Sequence, residues 1–323
     1  MKLSVVVPVY NVAGYLDACV RSLDMSIRRA GCADDVEAVF VDDGSSDGST
    51  GLLDNLAERH SWIRVFHRRN GGVAAARNFA LGVIAGEYVT WVDPDDMVDG
   101  DYFLALFAAF VDGPDAVVFD YSNLPGRVHH YRSAGGRMSA ETVWRDIVRD
   151  ERIKSFLWSK AVRRNLVPVP LFDETYMVMS DFEAMGRLFR EVTTVEYIRK
   201  PIYIYRQRAG SIVNQPVPDR MMQMFRLALK RLDEVQPSCR EDALSCAMYH
   251  ACHYCHMAAK YPLSQWNEGG GLDECRRYVR RNLRIGLADS GNGFVRKVQF
   301  LIVALGLMRV AVFVRRLLPG GRD

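Results

Sequence analysis

No apolar run in this chain reaches the ~20 residues that a bilayer crossing requires. The stretch that comes nearest, Phe300–Met308 followed by Val310–Val314, is split by Arg309 and flanked by Arg296, Lys297, Arg315 and Arg316. Nothing here resembles a secretory leader either: the first apolar run, Leu3–Pro8, is shorter than a signal core and stops at proline, so a cytosolic protein is expected. Cysteine is sparse and irregular. Cys19, Cys32, Cys239, Cys246, Cys252, Cys255 and Cys275 are odd in number, which fits reduced thiols and excludes a disulfide framework. Cys246, His250, Cys252, His253, Cys255 and His256 invite a zinc reading, but they share one apparent helix with no second cluster, so buried packing is expected instead. The chain has no fixed-period repeat and no low-complexity tract. With 49% hydrophobic and 25% charged residues it is neither collagen-like nor wholly disordered. At 323 residues it is one large domain or two modest ones.

An excess of one charge is also lacking, since 42 Lys and Arg nearly balance 39 Asp and Glu. The balance hides an asymmetry. Residues 276–323 carry 11 basic residues against 2 acidic, a net +9, and the first 275 carry a net −6. A basic, apolar tail over about 290–318 is expected to lie on an anionic membrane surface, with a buried or oligomeric helix as the alternative.

What is present is a βαβα pattern. The apolar runs Leu3–Val7, Val36–Val41, Ile63–Phe66, Glu87–Val92 and Ala116–Phe119 alternate with helical spacing near 13–29, 47–59, 73–85 and 100–111. Continuous Val-rich runs suit parallel strands buried on both faces, so a doubly wound α/β sheet is expected over 1–120. Ligands of such sheets bind beyond the carboxyl ends of the strands. Pro8-Val-Tyr-Asn11, Asp42-Asp-Gly-Ser-Ser-Asp47, Asn70-Gly-Gly72 and Asp93-Pro-Asp-Asp96 each follow one of these strands and are expected to converge on one edge. Beyond 120 the pattern predicts a hairpin or excursion at Tyr121–Gly136, helical spacing over 139–166, a helix opening at Asp181 and a strand at Thr194–Arg206. Further helices follow near 219–234, 241–260, 272–286 and 295–317, after a soft boundary at Gln215–Pro218.

Asp93, Asp95 and Asp96 are the most informative residues. Carboxylates repel one another unless a cation lies between them, and carboxylate oxygens suit Mg²⁺ or Mn²⁺ shared with a substrate's phosphates. A solvated Asp-rich turn is the plain alternative.

In sequence and in order, Ser4–Asn11, Val41–Ser49, Asn70–Asn78 and Trp91–Asp96 resemble family 2 glycosyltransferases with a GT-A fold. The resemblance is close over about 1–120 and looser over 150–212. It implies a Rossmann-like, mostly parallel sheet with flanking helices over 1–215, divided into a nucleotide-binding half (1–120) and an acceptor half (121–215). A helical region over 216–323 follows. The implied activity is inverting transfer of a sugar from a UDP-sugar to an acceptor hydroxyl. The acceptor is expected to be a glycan or lipid-linked group of a cell-surface polysaccharide or glycolipid. The enzyme would work on the inner face of the cell membrane, with no nucleic-acid partner and with homo-oligomerisation left open.

The resemblance gives each residue a role. Pro8, Tyr10 and Asn11 would shape the loop around the base, and Asp43, beside Asp42, can accept from a uracil N3–H. An Asx-turn and helix cap would explain Asp42–Asp47 equally well. Asn70 and Gly71 would allow close approach of the ligand. Arg77 would steady the diphosphate or the Asp cluster, or form a structural ion pair. Asp93 and Asp95 would bind the nucleotide sugar, and Asp95 and Asp96 the divalent cation. Arg206, Arg208 and Ser211 are candidate phosphate ligands. The general base falls on Asp181, where the family typically has a Glu-Asp pair and this chain has Ser180-Asp181; losing the neighbouring acid alters how such a base is tuned. A nucleotidyltransferase would be expected to open on a Gly-rich loop carrying Lys or Arg, and Pro8–Asn11 is not one. A non-catalytic nucleotide-sugar-binding subunit is the other alternative, encouraged only by Ser180.

Overall fold

The computed structural model describes residues 2–176, 179–207, 217–262, 266 and 270–317. Chain contacts divide it into two units, Met1–Ile147 with Glu151–Ala209, and Val148–Asp150 with Gly210–Asp323. The first unit is a sheet with helices on its faces. β1 (Leu3–Val9) and β2 (Val36–Asp42) are buried at every position, as strands covered on both faces must be. They pair in parallel with each other, β2 pairs with β3 (Ile63–His67), and β1 pairs with β4 (Tyr88–Trp91). The connecting helices are α1 (Ala13–Ala30), α2 (Ser49–Arg59) and α3 (Val73–Val83). α1 buries Leu16, Cys19, Val20, Leu23 and Ile27 at helical spacing and ends where Gly31 turns left-handed and returns its N–H to Arg28 O.

After β5 (Met97–Val98), α4 (Tyr102–Ala109) and β6 (Ala116–Leu124), two short strands follow, β7 (Val128–His129) and β8 (Gly136–Ser139). The helical spacing expected over 139–166 holds only for α5 (Ala140–Arg149). Lys160–Arg163 is instead a strand, β9, inserted antiparallel between β4 and β6. A lysine at a strand position inside the sheet disguised it. Lys160 is fully buried, and its ammonium donates to the carbonyls of Lys154 (2.6 Å) and Phe156 (2.7 Å) and to Ser159 Oγ (3.0 Å). α6 (Ser180–Leu188) and the long β10 (Thr194–Arg206) complete the unit. The sheet order is β3-β2-β1-β4-β9-β6-β10-β5, with β7 on β6 and β8 on β10. The sheet is therefore parallel around β1 and mixed beyond β4.

The second unit is helical: α7 (Pro218–Glu234), α8 (Arg240–Lys260), α9 (Gly271–Ala288), α10 (Phe294–Ala304) and α11 (Met308–Leu317). Its core includes Phe225, Met248, Tyr254, Val279 and Phe300. The single helix expected over 295–317 is broken at Gly306, whose φ of +75° only glycine adopts cheaply; Gly306 N–H bonds Val303 O and Leu307 N–H bonds Ile302 O. No described helix is long and apolar enough to cross a membrane.

Candidate active site

β1 and β2 end side by side, with Val9 opposite Asp42, so the loops that follow them must meet. Asn11 is left-handed (φ +51°), and its Oδ1 accepts from Ser46 N (2.8 Å) while its N–H reaches Ser45 Oγ (3.1 Å). Asp47 accepts from Ala13 N (2.9 Å) at the start of α1 and Ser49 N (3.0 Å) at the start of α2, so one carboxylate caps two helices. Against the burial penalty, these bonds hold its pKa below the usual carboxylate range. Pro8 is buried in β1, and Tyr10 stands half-exposed at the tip of the first loop.

The adjacent Asp42 and Asp43 do different jobs. Asp42 accepts from Ser45 N (3.0 Å) and Thr50 Oγ1 (2.7 Å) and pairs with His67 Nδ1 (3.0 Å). Burial raises its pKa, but these hydrogen bonds together lower it further than burial lifts it. Asp42 thus closes the turn at Ser45 and ties it to α2 and β3. Asp43 is equally buried but reaches the third loop, accepting from Gly71 N (3.0 Å) and Gly72 N (2.7 Å) and lying 3.3 Å from Arg68 Nε. That closeness needs Gly44: at φ +77°, a Cβ there would sit 2.9 Å from Asn70 N. Asn70 and Gly71 are exposed beside it.

At the carboxyl end of β4 the chain turns through Asp93–Asp96, closed by Asp96 N–H to Asp93 O (3.0 Å). Asp96 is buried and accepts from Tyr203 Oη (2.7 Å) and Arg206 N (2.8 Å); Tyr203 Oη also receives Asp93 N–H (3.1 Å). Desolvation, then repulsion by neighbouring acids, pushes Asp96 upward, and burial pushes Asp93 upward against the pull of Arg77. Asp95, half-buried between them, adds to both repulsions. Burial and mutual repulsion thus both disfavour charge on these carboxylates. Among the described residues no three His, Cys, Asp or Glu side chains form a closed metal cage. Carboxylates crowded in this way would suit a hard cation held by one or two of them and completed by phosphate.

Arg77, on α3, joins this turn to the candidate base. Its guanidinium is buried and donates to Asp181 Oδ1 (2.5 Å), Ser180 Oγ (3.2 Å) and Asp93 Oδ1 (3.2 Å), over the ring of Phe172. The flanking carboxylates hold its pKa above the ordinary value against burial. Asp181 sits in the first turn of α6, and Leu157 N approaches its other oxygen at 3.4 Å. The next residue, Asn78, clamps the segment before α6: its Oδ1 accepts from Leu171 N and Phe172 N, and its Nδ2 donates to Phe172 O.

Arg77, Asp93, Asp96, Asp181 and the backbone of Arg206 are thus brought together, and Asp43 with Asn70 and Gly71 forms a second group at the ends of β2 and β3. The Arg206 guanidinium lies over the ring of Tyr15 on α1. Arg208 and Ser211 lie outside the described residues. Sequence reasoning assigned no role to Tyr203, although it orders the acid turn through both its contacts. Its ring stacks on Trp158 (4.5 Å), which stacks in turn on Phe156 (4.7 Å). The available signals were the Tyr203–Tyr205 alternation on a strand and the likeness of Tyr203–Arg206 to a later landmark of the family that the sequence resembles.

The family model for glycosyl transferase family 2 matches residues 4–165. The glycosyltransferase GlyG of Streptococcus pneumoniae is 29% identical over 224 residues, covering 65% of this chain and 72% of that protein. The cholesterol galactosyltransferase of Borreliella burgdorferi is 27% identical over 228 residues; they cover 65% of this chain and only 62% of that protein's length. Among solved structures, S. aureus TarS 1-349 in complex with UDP-GlcNAc superposes with a TM-score of 0.72 at 19% identity, over 95% of this chain and 88% of that one.

Proposed function

This chain belongs to glycosyl transferase family 2, whose model matches residues 4–165, and on that premise we propose that it transfers a sugar from a UDP-sugar to an acceptor hydroxyl with inversion. The observation that carries the reading is Arg77, which contacts both the acid turn at Asp93 and the candidate base Asp181. Residues 1–215 form the transferase domain in this reading, with 1–120 binding the donor and 121–215 the acceptor; 216–323 form the helical region. The loops at Pro8, Tyr10 and Asn11, at Asp42 and Asp43, and at Asn70 and Gly71 surround the base, with Asp43 offering an acceptor to uracil N3–H. Asp93 and Asp95 bind the nucleotide sugar, and Arg77 and Arg206 face the diphosphate.

Asp95 and Asp96 would hold Mn²⁺ or Mg²⁺. A cation bound there supplies neutralisation of the charge that develops on the departing diphosphate. Asp181 takes the proton from the acceptor hydroxyl as that oxygen attacks the anomeric carbon from the face opposite the leaving group. Arg77 fixes Oδ1 of Asp181, and Oδ2, which among the described residues accepts only a long 3.4 Å bond from Leu157 N, is the oxygen that meets the acceptor.

The named acceptor of the borrelial relative is a lipid, and the donor in the TarS complex is a UDP-sugar. The first supports a lipid-linked acceptor and the second a UDP-sugar donor; synthesis of a cell-surface polysaccharide or glycolipid, by a protein peripheral on the inner face of the membrane, completes the proposal. The test is calorimetric titration of UDP, GDP and CMP with and without Mn²⁺, on wild type and Asp95→Ala/Asp96→Ala. Metal-dependent, UDP-selective binding lost in the variant is expected. If no nucleotide binds, the donor assignment is wrong. Asp181→Asn should keep UDP binding and lose turnover; if wild type binds UDP but turns over no UDP-sugar, the chain is a binding subunit.

A further inference from the structure

The last two helices are apolar on both sides. α10 turns Phe300, Val303 and Ala304 into the core of the helical unit, and α11 does the same with Met308 and Val312. The other side of α10 carries Phe294, Leu301 and Leu305 at i, i+7 and i+11, all exposed, with half-buried Val298 between them at i+4. α11 adds exposed Val310, Phe313 and Val314 at i, i+3 and i+4. Phe294 is 82% exposed and Phe313 62%, an arrangement that water penalises and that marks an interaction surface when it is contiguous along a helix.

The neighbouring charge decides the occupant. On α9, Arg277, Arg281 and Arg284 stand exposed at i, i+4 and i+7, one continuous cationic stripe. Arg280, one step around the same face, donates from Nε (3.2 Å) and Nη2 (2.9 Å) to Ala304 O, which puts that face beside the end of α10 where Leu305 projects. Arg309 is exposed among the apolar residues of α11. Residues 276–323 carry a net +9, so two copies meeting through this surface would oppose like charges, whereas an anionic lipid layer offers hydrocarbon to the apolar stripe and phosphate to the arginines. Neither helix can span a bilayer.

We propose that the outward faces of α10 and α11, bordered by the arginine stripe of α9, form a docking surface for an anionic membrane, lying in the headgroup plane. The proposal rests on the reading of this chain as a transferase at the membrane and supplies the surface that reading lacks. The experiment is flotation of the full chain with vesicles of phosphatidylcholine mixed with phosphatidylglycerol, and of phosphatidylcholine alone. It uses wild type, Phe294→Ser/Leu301→Ser/Phe313→Ser and Arg277→Gln/Arg281→Gln/Arg284→Gln.

The expected result is salt-sensitive binding to the anionic vesicles only, weakened at least ~10-fold in the serine variant, because each large apolar side chain contributes appreciably to partitioning. The glutamine variant should lose much of the preference for phosphatidylglycerol. All substituted side chains are exposed, so thermal melts should match wild type, and UDP titration in vesicle-free solution should be unchanged. Equal binding to both vesicle types, or full binding by the serine variant, overturns the proposal. So does failure to float accompanied by a wild-type dimer in light scattering that the serine variant abolishes, which would assign the surface to a second copy. Loss of UDP binding with flotation intact would instead sink the donor reading and leave the docking surface standing.

Discussion

Replacing Arg77 by methionine should cost about 3 kcal/mol of stability, because the guanidinium makes charge-assisted bonds worth roughly 1.5–3 kcal/mol each to Asp181 at 2.5 Å and Asp93 at 3.2 Å. Breaking a buried pair by deleting one partner costs about 3–5 kcal/mol. Here the Asp93 and Asp181 side chains are 28% and 25% exposed, so water rescues part of each stranded charge and the low end applies. Methionine fills much of the volume, which leaves the charge effect as the main loss. Asp181→Asn should cost only about 1 kcal/mol, since an amide oxygen still accepts from Arg77 and only the charge assistance is lost. The two substitutions should therefore rank oppositely in two assays. Arg77→Met is worse in urea denaturation, and Asp181→Asn abolishes turnover with little loss of stability. The double variant should show a coupling energy of about 0.5–3 kcal/mol, as contacting residues do. If Arg77→Met lies within about 0.5 kcal/mol of wild type, or if the two substitutions add without coupling, Arg77 does not organise the site.

Asp54 and Asp42 raise the pKa of His67 against a smaller burial effect, so the protonated ring stabilises the fold. That stabilisation is fully present below the ordinary His pKa and fades as pH rises through the higher folded value. A urea midpoint that falls from slightly acid to alkaline pH in wild type, and is flat in His67→Gln over that window, is the expected result. Tyr203→Phe removes the hydroxyl from Asp96 and Asp93 N–H together and should destabilise by about 1–3 kcal/mol, the cost of buried polar groups left unpaired, with Mn²⁺-dependent UDP binding weakened; unchanged binding and stability would refute the ordering role given to Tyr203. Gly44→Ala and Gly48→Ala form an internal control, as both glycines are left-handed (φ +77° and +93°) but only Gly44 has a backbone atom, Asn70 N, within 3 Å of the added Cβ. Gly48→Ala should cost about 1 kcal/mol for backbone strain alone. Gly44→Ala should cost more, and it alone should weaken UDP binding, read by calorimetry.

The parallel half of the sheet was legible because each strand carried its own signal. β1 and β2 read as Val-rich runs even with Ser4 and Glu37 inside them, and the polar motif after each falls where the sheet ends. The antiparallel half was not legible for an equally physical reason. β9 contains Lys160, and no periodicity rule expects an ammonium at the centre of a sheet; only the carbonyls of Lys154 and Phe156, which come from a loop, make the position tolerable. Gly306 was visible, yet a single glycine in an apolar helical pattern is also compatible with an unbroken helix, and its left-handed cap depends on carbonyls at Ile302 and Val303 that sequence does not aim. The site divides in the same way. Asp42 and Asp43 are neighbours of one chemical type with different partners, Thr50 and His67 for one, Gly71 and Gly72 for the other. Asp42 is the last residue of β2 and Asp43 the first beyond it, so one acid holds its own turn while the other reaches the loop beyond β3. Arg77 and Asp181, by contrast, are 104 residues apart. Their contact joins α3 to α6 across the sequence, and from the same helix Asn78 anchors the segment at Leu171 and Phe172. The adjacent Arg77 and Asn78 thus carry two long-range ties from α3, one to the carboxylate of the candidate base and the other to the backbone at Leu171 and Phe172.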